Sequence, residues 1–188
     1  MAKEKETDFI IKYLLDNAGI NCQAEGSCIS EVQKALQTAS KRGTGKTGFP
    51  EFVGSSGDFL IVIEDKASID RQVKYVNEVE KDTLLMDKQS VTDYAENGAL
   101  HYALHIIKNT SFKKIFAFGC TGTDSSRINI RPIFVSPAGY QLLPKVKDFS
   151  KFSPAEIDRY YREIVCGQEP IERVELRTIL DRAKKLHH

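Results

Sequence analysis

Tryptophan is absent from this 188-residue chain, which holds only two methionines, four cysteines and six prolines. The cysteines (Cys22, Cys28, Cys120 and Cys166) form no Cys-x-x-Cys pair and have no matching histidine ladder. They therefore suggest neither a zinc framework nor a disulfide scaffold, and the thiols fit a reducing cytoplasm. An excess of either charge is missing too. Twenty-seven basic residues against 26 acidic ones leave +1, which excludes a generally basic nucleic-acid coat. A nucleic-acid role would need locally clustered charge. No apolar run approaches the roughly 18 residues of a membrane helix, and the opening Met1-Ala2-Lys3-Glu4-Lys5-Glu6 lacks the apolar stretch of a signal peptide. No membrane partner is expected. What is present is 41% hydrophobic and 28% charged, enough to close a core at a length that suits one domain with a small appendage.

Helical spacing of Phe9, Ile10, Tyr13, Leu14 and Ala18 predicts a first helix from about Thr7 to Asn17, stopped by Gly19. Val32, Ala35, Leu36 and Ala39 predict a second over about 29–40, capped by Ser27 or Ser30. A glycine-rich basic loop, Lys41 to Gly48, follows. Phe49 to Val53 and the unbroken Phe59-Leu60-Ile61-Val62-Ile63 predict two strands of a hairpin, the second buried on both faces and hence covered by helices. Residues 69–90 carry no clear period. A long helix is expected from Ser90 to about Asn109, then strands over Lys113–Gly119 and Asn129–Val135 with a turn at Asp124-Ser125-Ser126. Ser153-Pro154 opens a helix to about Val165, and Pro170 a charged one to the end. The order αα, ββ, α, ββ, αα predicts an α/β fold with a mixed sheet.

Chemistry concentrates in Gly48-Phe49-Pro50-Glu51 and Ile61-Val62-Ile63-Glu64-Asp65-Lys66. Glu51 and Glu64 fall on neighbouring strands. Residues two apart on a strand share a face, so Glu64 and Lys66 can share a pocket, whereas alternation points the Asp65 side chain away from Glu64. Two carboxylates about 4 Å apart repel by roughly 4 kcal/mol at an effective dielectric near 20. A divalent cation removes that penalty, and an oxygen-only donor set suits Mg²⁺ or Mn²⁺. The ion would polarise a phosphoryl oxygen and activate water, and the lysine would orient that water or offset developing charge.

Pro50-Glu51, with Glu64-Asp65-Lys66 after twelve intervening residues, resembles the signature of the PD-(D/E)XK nucleases, with Glu replacing the usual first Asp. Four blocks in order extend the resemblance: Lys46 to Phe52, Ile61 to Ala67, Tyr94 to Ala103 and Ile115 to Gly119. They are similar to the N-terminal nuclease domain of type I and single-chain, type IIG-like restriction-modification proteins. The likeness spans roughly residues 5–140. It implies a restriction-endonuclease-like mixed central sheet flanked by helices, with a nuclease core over 1–150 and a helical extension over 151–188. It also implies a metal-dependent endodeoxyribonuclease acting on double-stranded DNA. The partner would be a methyltransferase, helicase or specificity module in the same polypeptide or complex, and dimers would be transient.

Position by position, the resemblance makes Glu51 and Glu64 metal ligands, the Asp65 backbone carbonyl a further one, and Lys66 the catalytic lysine. Glu31 falls where many such nucleases place an additional acid facing the site. Gly98 stands where some relatives carry a glutamine and is assigned no catalytic duty. A nuclease fold that has lost cleavage and only holds DNA or a partner subunit is the alternative function.

Other features have plainer readings. Asp58 competes as first acid but sits at the hairpin turn, where Asp is conformationally expected. Ser40 to Thr47 is one residue from a phosphate-binding loop, yet a helix precedes it and a strand follows, the reverse of what that loop needs. Lys41, Arg42 and Lys46 are better assigned to DNA phosphates. His101 and His105 have zinc-compatible spacing, but no Glu follows His101. Cys120 is expected to be a buried strand-end thiol. The basic, amphipathic C-terminal segment fits docking on a following domain, and His187-His188 are either native or a tag remnant.

Overall fold

The computed structural model describes residues 2–167 and 182. Its centre is a six-stranded mixed sheet in chain order: β1 (Asn21–Ala24), β2 (Phe52–Ser56), β3 (Phe59–Lys66), β4 (Ile115–Thr121), β5 (Asn129–Ser136) and β6 (Gly139–Leu142). Every adjacent pair is antiparallel except β3 and β4, which run parallel. A parallel pair requires a crossover, and α4 (Ala95–Asn109) provides it. The other helices are α1 (Ala2–Asn17), α2 (Ser30–Leu36), α3 (Lys88–Asp93) and α5 (Ile157–Tyr160). This is the α/β architecture that the order of elements predicts, and it is consistent with a restriction-endonuclease-like fold.

β3 fixes both faces at once. Phe59, Ile61 and Ile63 belong to a core with α1 residues Ile11 and Leu15 and with Phe116, Phe118, Phe149, Phe152, Ile157 and Tyr160. Leu60 and Val62 belong to a second core with Val32 and Leu36 of α2 and Ala99, Leu100, Tyr102, Ala103 and Ile106 of α4. A strand buried on both sides must be apolar at every position, and β3 is so until Glu64. Residues 149–160 are built into the α1-side core, with Phe152 fully buried against Phe116, Phe118 and Tyr160.

Several boundaries differ from the sequence expectation. The second helix stops at Leu36, and the chain then turns through the glycine-rich loop. The strand expected over 49–53 begins only at Phe52, because Pro50 has no amide hydrogen to donate to a ladder. The long helix expected from Ser90 is broken by the extended backbone of Tyr94 (φ −117°, ψ 137°), and α3 is capped by Asp87, which accepts from the Ser90 amide at 2.7 Å. The helix after Ser153-Pro154 becomes regular at Ile157 and continues as a π-turn over Tyr161–Val165. The short polar strands β1 and β6 have no sequence signal. The helix expected from Pro170 lies outside the described residues.

Phe116 sits at the middle of the aromatic cluster, within 5.1–5.8 Å, centroid to centroid, of Phe59, Phe134, Phe152 and Tyr160. Phe116→Ala is expected to lower unfolding free energy by about 3–5 kcal/mol, read as a lower urea midpoint without loss of cooperativity.

Candidate metal centre at the end of the central strands

Alternation along β3 continues past its apolar run and sorts three polar residues between the two faces. Asp65 follows Ile63 towards α1. Glu64 and Lys66 follow Val62 towards α4. Register places Phe52 opposite Ile63, which brings Glu51, one residue before β2, level with Glu64. The Glu51 carbonyl accepts from the Glu25 amide at 3.1 Å, which holds this segment against the β1 turn.

One carboxylate oxygen from each of Asp8, Glu51 and Asp65 lies within 4.8 Å of the others. Asp8 comes from the first turns of α1, and its neighbour Thr7 is locked in place by donating to the Gly122 carbonyl at 2.8 Å. Asp65 is 3% exposed, and Glu64 is fully buried. Among the described residues, four buried side-chain oxygens lack a hydrogen-bond partner: Asp8 Oδ1, Glu64 Oε1, Asp65 Oδ2 and Tyr160 Oη. Three of the four belong to carboxylates at this end of β3. Buried carboxylate oxygens left unpaired are strongly unfavourable unless something positive meets them. The donor set, oxygen only and rich in negative charge, fits Mg²⁺ or Mn²⁺.

Electrostatics carry the same mark. Burial, then the charges of Glu64 and Asp8, push the Glu51 carboxyl up to about 7, against the opposing pull of Lys41 and Lys66. Burial, then the charges of Asp8 and Glu51, raise Asp65 strongly. Lys66 ends β3, and its backbone carbonyl accepts from the Gly122 amide at 3.2 Å.

Glu64 has a different partner from the one its spacing suggests. Lys41 Nζ lies 2.7 Å from Glu64 Oε2, and the same ammonium stands 5.6 Å from the Tyr102 ring centroid. Lys41 is thus a member of the site, turned inward from the glycine-rich loop instead of outward to a phosphate. Arg42 and Lys46 remain exposed on that loop. Gly48 allows the loop to close on the site: a Cβ there would lie 2.5 Å from Tyr102 and 2.7 Å from the Ala39 carbonyl oxygen. The Phe49 amide then donates to Tyr102 Oη at 3.1 Å, delivering Pro50 and Glu51 to the strand end.

Two sequence assignments are corrected by this placement. Glu31 does not join the cluster: its carboxylate accepts from the Ser111 amide and hydroxyl on the protein surface, and those bonds lower its pKa. The acid that joins Glu51 and Asp65 is Asp8, which sits on a surface-helix pattern that gives no signal of this placement. Asp65 contributes its side chain to the cluster; alternation does turn it away from Glu64, but towards Asp8. Glu96 is a further buried acid that spacing did not reveal. It packs over Gly119, takes a hydrogen bond from Gln72 at 3.1 Å and faces Arg131 at 3.8 Å, and burial raises it to about 7. His101 and His105 are turned away from metal ligation, each ring bonded to a carbonyl at the end of α2, Ala39 and Ala35. Cys120 is fully buried, and burial raises its thiol.

Removing one partner of a buried ion pair strands the other. Lys41→Met is therefore expected to destabilise the metal-free protein by about 3–5 kcal/mol, measured by urea unfolding in EDTA. Added Mn²⁺ should recover part of that loss by supplying positive charge beside the stranded carboxylate. Unchanged stability would show that the pair does not exist in solution.

Comparison with curated proteins gives the centre a context. The chain is 36% identical over 190 residues to a protein named "Type II restriction enzyme and methyltransferase RM.BcgI" from Heyndrickxia coagulans. All of this chain is aligned, and it spans 29% of that relative's length. No family model matches the chain, and no solved structure matches it. The alignment relates this chain to a protein whose name joins a restriction enzyme with a methyltransferase.

Proposed function

We propose that the chain is the DNA-cleaving part of a restriction-modification enzyme, a divalent-cation-dependent hydrolase of phosphodiester bonds. One observation carries the reading: carboxylates with buried, unpaired oxygens converge at the end of β3, the strand whose last residue is Lys66. Asp8, Glu51 and Asp65 would hold Mg²⁺ or Mn²⁺, with Glu64 alongside. When bound, such a cation polarises a phosphoryl oxygen and lowers the pKa of water.

The chain's own residues do the remaining work. Lys66, whose charge already acts on Glu51, orients the attacking water and offsets negative charge developing on the phosphate. Lys41 holds Glu64 in place while the site waits for substrate. The apolar strands behind them keep the carboxylates on rigid backbone, so the constellation is organised before DNA arrives. One such centre cuts one strand, so a double-strand break calls for two copies. With a net charge of +1, the isolated chain has little field to bind DNA tightly, and a neighbouring recognition module would supply sequence specificity.

The reading is tested by nicking of supercoiled plasmid in Mg²⁺. Glu51→Gln and Lys66→Met are each expected to lower the rate by about 10²–10⁴-fold, with Asp8→Asn weakening metal dependence. Unaltered activity in Glu51→Gln and Lys66→Met would remove the site assignment. Wild-type protein that binds DNA without nicking it would favour the silent module.

Stability should also report the centre. Glu51 and Asp65 hold protons in the folded state at pH values where the unfolded chain has released them. Their contribution is therefore complete below the ordinary carboxylate range, near pH 4. It is lost as pH rises through about 7 for Glu51, and further above that for Asp65. In EDTA the melting temperature should fall between pH 5 and pH 8. Mn²⁺ should raise it more at pH 8 than at pH 5, because the ligands must shed protons to bind. Glu51→Gln should flatten the metal-free slope.

A further inference from the structure

A cavity of about 580 Å³ opens between the turn after β4 and the segment that follows β6, lined by Ser125, Ser126, Arg127, Lys145 and Lys147 among others. Its position follows from topology. β4 runs parallel to β3, with Thr121 level with Lys66, so the turn after β4 emerges at the same end of the sheet as the carboxylates. β5 starts there, opposite Thr121, and Val146 pairs with Ile130 at its beginning. The cavity thus lies about two strand spacings from β3, roughly 10 Å.

Gly122 ties the two places together. Its amide donates to the Lys66 carbonyl at 3.2 Å, and its own carbonyl accepts from Thr7, beside Asp8, at 2.8 Å. A Cβ on Gly122 would stand 3.5 Å from the Arg127 carbonyl oxygen and from Ile128 Cα, and its φ of +119° suits glycine alone. Gly122 thus packs behind the backbone of Arg127 and Ile128, which line the cavity, and bonds to Lys66 and Thr7 on its other side.

The chemistry of the walls is that of an anion seat. Arg127, Lys145 and Lys147 are exposed and contribute three positive charges, and Ser125 adds a hydroxyl, that of Ser126 being donated to Asp124. Two acids stand nearby and stay ionised: Asp124, which accepts from the Ser126 amide and hydroxyl at 2.9 and 2.8 Å and pairs with Arg127 at 4.0 Å, and Asp148, which accepts from the Ser150 amide at 2.9 Å beside Lys147. Three basic residues against two acids leave the wall positive, and Lys145 is the cation with no acid paired to it among the described residues. We propose that this cavity is a seat for the phosphate backbone of DNA, on the β4–β5 flank of the cleavage centre. It rests on the nuclease reading above. Duplex DNA carries a phosphate on each strand at every step along its axis, so a strand lying over the carboxylates passes the cavity within a few nucleotides. The basic residues of the glycine-rich loop, Arg42 and Lys46, would meet the backbone on the other flank.

The test uses the whole 188-residue chain, a fluorescent duplex of arbitrary sequence, and Ca²⁺ in place of Mg²⁺, with anisotropy followed over a salt series. The variant R127S/K145S/K147S is compared with K108S/K113S, whose lysines lie at the opposite end of the strands. Melting temperatures verify folding, and plasmid nicking by wild type in Mg²⁺ runs alongside. The expected result is binding weakened at least about tenfold at low salt by the triple variant. The log–log salt slope should become shallower by up to about 2.7, near 0.9 for each phosphate that is no longer neutralised, and the control variant should behave as wild type. Wild-type binding and slope in the triple variant, from a wild-type protein that nicks plasmid, would overturn the cavity assignment and leave the nuclease reading standing. A wild-type protein that neither nicks nor binds DNA would overturn both.

Discussion

Buried negative charge at the end of β3 is the constraint around which the rest of this molecule is arranged. Asp8, Glu51, Glu64 and Asp65 converge where water hardly reaches Glu64 or Asp65. At about 4 Å and an effective dielectric near 20, each like-charged pair costs roughly 4 kcal/mol. The fold meets one of these charges itself, by turning Lys41 inward onto Glu64. The remaining three have no ion-pair partner among the described residues, and protonation shifts on Glu51 and Asp65 are the metal-free chain's way of relieving them. A cation would do the same work without requiring protons, and that exchange is the physical basis of the proposed metal role.

Such an arrangement persists only on a stiff support. β3 is packed on both faces by large apolar side chains, with α1 and the 149–160 segment on one side and α2 and α4 on the other. β4 and β5 likewise feed both cores, so the positions of the last three residues of β3 are set by packing far from them. The division of faces also divides labour. The α1 side gathers Asp8 and Asp65, two of the three acids proposed to bind the ion. The α4 side gathers Glu64, Lys41 and Tyr102, with Glu96 held between Gln72 and Arg131 nearby.

Two glycine-dependent segments frame the centre. At Gly48 the backbone passes so close to Tyr102 and Ala39 that a side chain would not fit, and this approach brings Glu51 to the strand end. At Gly122 a backbone with positive φ lets one residue donate its amide to Lys66 and accept at its carbonyl from Thr7. The 36% identity to a restriction enzyme and methyltransferase extends across the whole chain, both segments included. This chain corresponds to less than a third of that protein's length.

Much of the scaffold was legible from residue pattern. The continuous apolar run of β3 announces a strand buried on both sides, because no half-exposed strand tolerates it. Glu64 and Lys66 two residues apart, following that run and facing Pro50-Glu51, point to the end of it where acidic side chains do converge. Period-two alternation also assigns Asp65 to the opposite face. What alternation cannot say is which residues wait there. Asp8 precedes Glu51 by most of two helices and a loop, on a helix whose own pattern marks it as an ordinary surface acid, and only the docking of α1 on the sheet brings it to Asp65. The same holds for Lys41, which reads as a solvated loop cation until the turn at Gly48 points it inward, and for Glu31, whose helix places it against Ser111 instead. Local sequence determines strands, helices and their faces through steric and hydrophobic periodicity. The identity of the charge partners was decided by tertiary packing, because Coulomb interaction depends on distance in space and not along the chain.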